Sequence, residues 1–402
     1  MRAADDAMVW RPSRLSLLAV MLLLAAPPTL AQQRWLAPIK LDLGQEWTAH
    51  LGGDVNVTEF SASQSWSRLR SRPTASIFAA ARIDKLFANE WRVGVATRLN
   101  IYHDRFSGDN YGNRFFAKAY GFVRTPYGEL QVGKQDGAAY TMAITGPLIA
   151  PQIAIDDANI SFFADPRSGI NLHAIFAPRS AVFSTSNDSK LTYFSPRLLG
   201  VQLGVSFTPS LARGPLPVLA SAPAGGSRQS DLVDAALNYT GYFGRTSVGL
   251  YAGVVHGQLV HPALGQSDLL DWSLGGEFDY AFSDSLTAAL GGAYRQSNTY
   301  AFDPFAATKT GHSDVLHGSA TLVSGPYKVG VEYSDGTVGA AVGLPHLHLA
   351  GYELSTAYVV NRNLQLTLGF QHEHFAHSAA ALYGGPSSLG FNAVFLFAQL
   401  HV

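Results

Sequence analysis

Two His-x-His pairs, His346 with His348 and His372 with His374, have the spacing in this chain that most directly suggests chemistry. A separation of two puts both imidazoles on one face of a strand, as a metal site could use. No carboxylate and third ligand at fixed spacing completes either pair, so they read as water-exposed loop or rim histidines and no metal is expected. No Gly-x-Ser-x-Gly elbow, phosphate-binding glycine loop or His-Glu-x-x-His helix occurs. That excludes enzymes of the soluble type, and no catalytic residue or cofactor is assigned. What remains is electrostatic. Basic side chains concentrate at Arg82, Arg92, Arg98, Lys118, Arg124 and Lys134, with Lys190 beyond them. A solvated surface residue is the plain reading of any one of them; the concentration is what carries information.

These charges must be positioned by short strands. From Glu46 onward the connections are alternately very short and long. The short ones fall at 86–90, 126–128, 196–198, 242–244, 282–284, 324–326 and 361–362. The long polar ones fall at 59–73, 103–114, 136–187, 209–230, 257–268, 297–313, 335–350 and 374–390. A soluble sandwich has no reason to keep every tight turn on one side, whereas an outer-membrane barrel has short periplasmic turns and long outer loops.

Residue alternation agrees. Leu270, Trp272, Leu274, Phe278 and Tyr280 share one strand face, and Asp271, Ser273, Glu277 and Asp279 the other. Such an acidic face is untenable in hydrocarbon and needs a watery interior. The same division places Trp91, Val93, Val95, Thr97, Leu99 and Ile101 against Arg92, Arg98 and Asn100, and Leu364, Leu366, Leu368 and Phe370 against Gln365, Thr367 and Gln371. Aromatic residues end the apolar series, as in Trp272 with Tyr280, Tyr327 with Tyr333 and Tyr352 with Tyr358, which matches rings seated at two headgroup levels. Counting such segments predicts an all-β transmembrane antiparallel barrel of about sixteen strands.

Residues 1–31 read as an export signal: Arg11 and Arg14 precede a 12-residue apolar run at 15–26, and Thr29-Leu30-Ala31 supplies small-residue cleavage chemistry before Gln32. The barrel domain is then 32–402. No later segment approaches roughly 18 consecutive apolar residues, so the 47% hydrophobic content must be spread in alternation and does not form membrane helices. The chain has no cysteine, so the fold is held without disulfides or thiolate metal sites. A formal net charge of −1 gives no support to nucleic acid as a partner.

Two segments then carry a family resemblance. Ala119-Tyr-Gly-Phe-Val-Arg-Thr-Pro-Tyr-Gly-Glu-Leu-Gln-Val-Gly-Lys134 resembles the fourth and fifth strands of the general bacterial porins, the trimeric diffusion barrels of Gram-negative outer membranes. Ser189-Lys-Leu-Thr-Tyr-Phe-Ser-Pro-Arg-Leu-Leu-Gly200 is similar to the strand by which that family enters a Ser-Pro turn. The surrounding architecture extends the resemblance over 46–402. Two features depart from the family. The last strand alternates Val394, Leu396, Ala398, Leu400 and Val402 without the usual terminal aromatic, and 136–187 is longer than the family's constriction loop. Residues 170–176 could add a strand, which leaves eighteen strands as an alternative.

The resemblance implies that the third long connection, 136–187, folds into the pore and brings Asp156 and Asp157, with Asp165 further on, opposite a basic wall. Arg82, Arg92, Arg98, Lys118, Arg124, Lys134 and Lys190 are the candidates for that wall. Lys118 and Arg124 share parity with Tyr120 and Phe122, so their inward assignment rests on the cost of charge facing lipid. The expected protein is a homotrimer in outer-membrane lipid that passes ions and small hydrophilic solutes passively. The alternatives are a sugar- or carboxylate-specific channel and an outer-membrane lipase-like barrel. The lipase would need a Ser/His pair facing lipid, whereas His50 and most serines here face the lumen.

Overall fold

The computed structural model describes residues 39–64, 72–103, 115–156, 179–211, 228–262, 264–300, 305, 307–339, 346–376 and 388–401. The export segment, Asp157, Asp165 and residues 170–176 lie outside them. In chain order the strands are β1 (Ile39–Gly44), β2 (Trp47–Gln64), β3 (Arg72–Leu86), β4 (Arg92–His103), β5 (Phe116–Thr125), β6 (Gly128–Lys134), β7 (Ser189–Phe194), β8 (Val201–Ser210) and β9 (Arg228–Phe243). They continue as β10 (Thr246–Val260), β11 (Leu269–Ala281), β12 (Leu286–Ser297), β13 (Ser313–Ser324), β14 (Tyr327–Gly339), β15 (His346–Asn361), β16 (Leu364–Ala376) and β17 (Ser388–His401). One short helix, α1 (Ala138–Thr141), follows β6.

Strands β2 to β17 form a closed antiparallel barrel of 16 strands, each paired with its sequence neighbour and sealed where β17 meets β2. Closure leaves these strands no free edge, which is what allows sheet to span a bilayer. The expected short turns are all at one end. At the other end the described strands reach deeper into the polar connections than alternation suggested: β2 runs to Gln64, β14 to Gly339, and β15 starts at His346. Above the apolar band both strand faces meet water, so the backbone ladder continues without an alternating sequence to mark it.

A second difference is β1, which residue pattern did not reveal. The chain reverses at Gln45 and Glu46, both with positive φ (49° and 66°), and β1 pairs with β2 from Asp42 opposite Thr48 to Ile39 opposite Leu51. That is the same edge of β2 that β17 uses from Asp54 upward.

The faces divide as alternation requires. On β11, Leu270, Leu274 and Phe278 are exposed on the outer surface, while Asp271 and Ser273 are buried inside. Tyr327 and Tyr333 are both exposed on β14, six residues or about 20 Å of strand apart. Trp47, Trp91, Tyr242 and Phe282 lie exposed near the short turns, and Tyr102 and Tyr352 toward the other end. Tyr358 differs in being buried, its ring 5.2 Å from that of Tyr327.

Candidate functional site

The described part of the third long connection runs along the inner wall, and its path follows from a run of small wall residues. Residues 137–155 contain no charged side chain. Ala138 N donates to Ser206 Oγ on β8 (2.9 Å), and Ala139 N to Asp234 Oδ1 on β9 (2.6 Å). Tyr251 on β10 donates to the Ala139 carbonyl at 2.6 Å. The arm then lies over wall glycines: Met142 against Gly204, the Ile144 backbone against Gly275, Ile149 against Gly330, and Ile155 against Gly351. A side chain at Gly275 or Gly330 would occupy space already filled by the arm. Gln365 Nε2 reaches the Ile149 carbonyl (2.9 Å), and Ile155 N donates to Glu332 Oε2 (3.1 Å). Between this arm and the wall lies an apolar cluster including Ala138, Ala139, Met142, Leu232, Tyr251, Val255 and Leu269. The barrel's apolar core is therefore eccentric.

The returning residues lock over the arm. Arg295 Nε and Nη2 bind Asp271 at 2.9 and 2.6 Å, its Nη1 reaches the Arg179 carbonyl at 3.2 Å, and Ser273 Oγ donates to the Ser180 carbonyl at 2.6 Å. Lys190 Nζ joins the two roots of the connection by donating to the carbonyls of Gln135 (2.7 Å), Thr185 (3.2 Å) and Ser186 (2.6 Å). Replacing water around a buried ammonium with carbonyls in this way is what makes its burial tolerable.

Across the lumen, β2 to β5 present the basic wall. His50, Arg82, Arg92, Arg98, Lys118 and Tyr120 line a cavity of about 360 Å³. Arg82 stacks over the Phe122 ring (4.2 Å) and Arg98 over Phe78 (4.4 Å), so aromatic faces hold the guanidinium groups without neutralising them. Buried Asp84 lies 2.8 Å from Arg82 Nε and 3.4 Å from Arg92 Nε. Lys118 pairs with Asp136, and Arg124 with Glu129 at 2.5 Å. A second cavity, about 530 Å³, is lined by Arg124, Glu129 and Arg197 on the wall and by Thr141 and Met142 on the arm.

Some of the sequence-derived candidates are brought together here and others are not. Arg82, Arg92, Arg98 and Lys118 share the first cavity, and Arg124 lines the second. Lys134 has the strand parity of outward-facing Leu130 and Val132, and its ammonium reaches the Phe116 carbonyl, away from this wall. Lys190 is buried as a tie within the loop. Asp156 is 1% exposed, and its two oxygens accept from Ser180 N (2.7 Å) and Ser180 Oγ (2.5 Å). Its carboxylate therefore serves the fold of the connection and presents no charge to open lumen. Sequence reading missed Asp84, Asp136 and Glu129 as counter-ions and Tyr120 as a lining residue. The uncharged run 137–155 was there to be read as a signal. His348 Nε2 lies 3.3 Å from Asp335 and His372 Nδ1 2.8 Å from Asn392, on the outer parity near the long-loop end.

A sealed barrel with an apolar outer band, two aromatic levels and a charged, partly filled lumen defines a water-filled channel of the outer membrane. A family profile described as Gram-negative porin matches residues 18–378, and the chain belongs to that family. It is an outer-membrane channel for passive diffusion. Among solved structures it is similar to the outer membrane channel DcaP of Acinetobacter baumannii (13% identity, 91% of this chain and 100% of that one, TM-score 0.59). It is also similar to an anion-selective porin from Comamonas acidovorans (10%, 89% and 100%, TM-score 0.56) and to the trimer form of OmpT, an outer membrane protein of Vibrio cholerae (10%, 89% and 100%, TM-score 0.54). At these identities the likeness is one of fold. No curated protein matches by sequence.

Proposed function

We propose that this porin is a general diffusion channel whose solutes cross between the arm at 137–155 and the wall carrying Arg82, Arg92, Arg98, Lys118 and Tyr120. The observation that carries this reading is the arm itself: it is hydrogen-bonded to β8, β9, β14 and β16 and fills one side of the lumen, so passage is left to the other side. The working form is a homotrimer, a reading supported by the trimer form of the Vibrio cholerae relative. Export removes residues 1–31, leaving Gln32 as the first residue.

Recording from purified protein in planar bilayers tests the reading. Stepwise ohmic conductance that grows with salt and closes in three equal steps is expected. A barrel that inserts but carries no current overturns it.

A further inference from the structure

One of the two His-x-His pairs receives from the sheet what the sequence around it lacks. His346 and His348 share the outward parity of exposed Tyr352 and Leu354 on β15. In the β14–β15 register His346 is opposite Gly339 and His348 opposite Thr337, and Thr337 is in turn opposite Asp314 on β13. The Gly339 amide donates to the His312 carbonyl at 3.1 Å, so His312 and His346 flank one glycine. A third imidazole and two carboxylates therefore arrive from neighbouring strands. Asp335 Oδ2 lies 3.3 Å from His348 Nε2, Asp314 Oδ1 lies 2.9 Å from His312 Nε2, and the His312 and His346 ring centres are 6.4 Å apart. His312 and His348 are each 43% exposed, and His346 is exposed as well. Asp335 stands two residues beyond Tyr333 and His348 four beyond Tyr352, about 7 and 13 Å of strand toward the long loops, so the group meets water and not hydrocarbon.

A neutral imidazole that donates one N–H to a carboxylate keeps its lone pair on the other nitrogen, the arrangement that orients histidine toward a metal. With the Nε2 hydrogen of His312 on Asp314, Nδ1 is the accepting nitrogen, and Gln296 Nε2 approaches it at 3.4 Å. With the Nε2 hydrogen of His348 on Asp335, the lone pair of His348 is likewise on Nδ1. Asp335 is itself held by the Tyr333 hydroxyl, which donates to it at 3.1 Å. The second pair has no such support. His372 Nδ1 lies 2.8 Å from Asn392 Oδ1 and its ring packs 5.2 Å from that of Tyr352. Among the described residues neither His372 nor His374 is paired with a carboxylate.

We propose that His312, His346 and His348 form a site for a divalent transition-metal ion of the zinc, nickel or copper class, with Asp314 and Asp335 holding two of the imidazoles in place. Imidazole nitrogen suits these ions, whereas magnesium and calcium take oxygen ligands and gain little from it. As the side chains stand, no three ligating atoms of the described residues meet at one point. Binding therefore turns His346 away from its edge contact with His312, where the ring planes cross at 73°, toward a centre shared with His348. For an exposed side chain that is a change of rotamer alone. The bound ion ties β15 to the start of β13 across β14. It sits on the outer wall, away from the lumen, so the inference is independent of how solutes cross.

Calorimetric titration of full-length, tag-free protein in detergent with Zn2+, after treatment with a chelator, tests the site. One ion per protomer is expected, and Mg2+ at about tenfold higher concentration should not compete. Cu2+ bound there should show nitrogen hyperfine splitting in its electron paramagnetic resonance spectrum. His346→Ala with His348→Ala, and separately His312→Ala, should weaken zinc binding by roughly a hundredfold or more, and Asp314→Asn with Asp335→Asn by roughly tenfold. His372→Ala should leave it unchanged. Zinc should also raise the thermal unfolding temperature of the unmodified barrel but not that of the variant lacking His346 and His348. If a variant fails to fold, footprinting of the unmodified protein with diethyl pyrocarbonate decides: zinc should protect His312, His346 and His348 and leave His372 reactive. No zinc binding, equal competition by Mg2+, or binding that survives either histidine variant overturns the inference. None of these outcomes touches the channel reading, which fails only on conductance.

Discussion

Asp234 Oδ1 accepts the amide of Ala139 at 2.6 Å, joining residues 95 positions apart in sequence and binding the barrel wall to the arm that narrows it. The second oxygen accepts from Thr185 at 3.0 Å, so one carboxylate holds both the outgoing and the returning chain. Asp234→Ala leaves a buried amide without its acceptor and is expected to cost about 2–3 kcal/mol. Asp234→Asn keeps an acceptor and should cost less. Urea unfolding of the detergent-solubilised barrel gives the stability order, and limited proteolysis should cut within 137–155 more readily in the Ala variant. Equal stability and equal protection of all three proteins would refute the assignment.

The glycine at 330 should be as demanding as that carboxylate. A side chain there meets Ile149, with Ile149 Cδ1 3.1 Å from the position a Cβ would take. Gly330→Val should displace the arm, cost roughly 1–3 kcal/mol and raise single-channel conductance. Adding Ile149→Ala to Gly330→Val should recover part of that loss, because the two sites are in contact. Purely additive losses in a double-mutant cycle would show that the two positions do not meet.

Charge tolerance should differ between the two barrel faces. Leu274→Arg places a cation on the exposed outer face and should cost roughly 2–4 kcal/mol at mid-depth. Gln131→Arg on the inner face of β6, where Gln131 already binds Glu129 at 2.6 Å, should be far milder and alter conductance instead. Comparable destabilisation in a folding assay would reverse the face assignment.

Replacing Asp156 with Asn should leave ion preference unchanged. Its oxygens are already committed to Ser180, and its burial removes it from the water path. The variant should instead lower resistance to unfolding by about 1–3 kcal/mol. A clear shift in zero-current potential would return Asp156 to the constriction.

Removal of the first 31 residues is checked by intact mass. Outer-membrane protein should begin at Gln32, and recovery of a chain that still carries the apolar run at 15–26 would contradict the export reading.

Alternation made most of the barrel legible because lipid and water impose opposite demands on successive residues, as Leu274 beside Ser273 shows. It became unreliable where a third environment intervened. Phe122 has the parity of Lys118 and Arg124 yet faces inward, because Arg82 stacks on it, and an aromatic platform reads like a lipid-facing residue. A shift in the β4–β5 register between Arg98 and Leu99 further disturbs the period, and Ala117 beyond it packs with Phe183 inside the barrel. Ser273 and Asp271 looked like lumen residues in water, but they are covered by a connection whose path no local pattern specifies. Charge alone drew attention to Asp156 and Lys190, yet each is consumed by hydrogen bonds within that connection. The basic residues of β3 to β5 were legible because the described arm at 137–155 lies against other strands, from β8 to β16.

The off-centre packing of the arm has a consequence for how this chain can change. Every residue of the first cavity falls between His50 and Tyr120, while the strands that carry the arm, from β8 to β16, follow later in sequence. Transport chemistry and mechanical support thus occupy separate, nearly contiguous stretches of the polypeptide. A hybrid barrel that takes residues 47–134 from a differently charged relative would exchange the lining of the first cavity while inheriting the liner and its anchorage to β8, β9, β14 and β16.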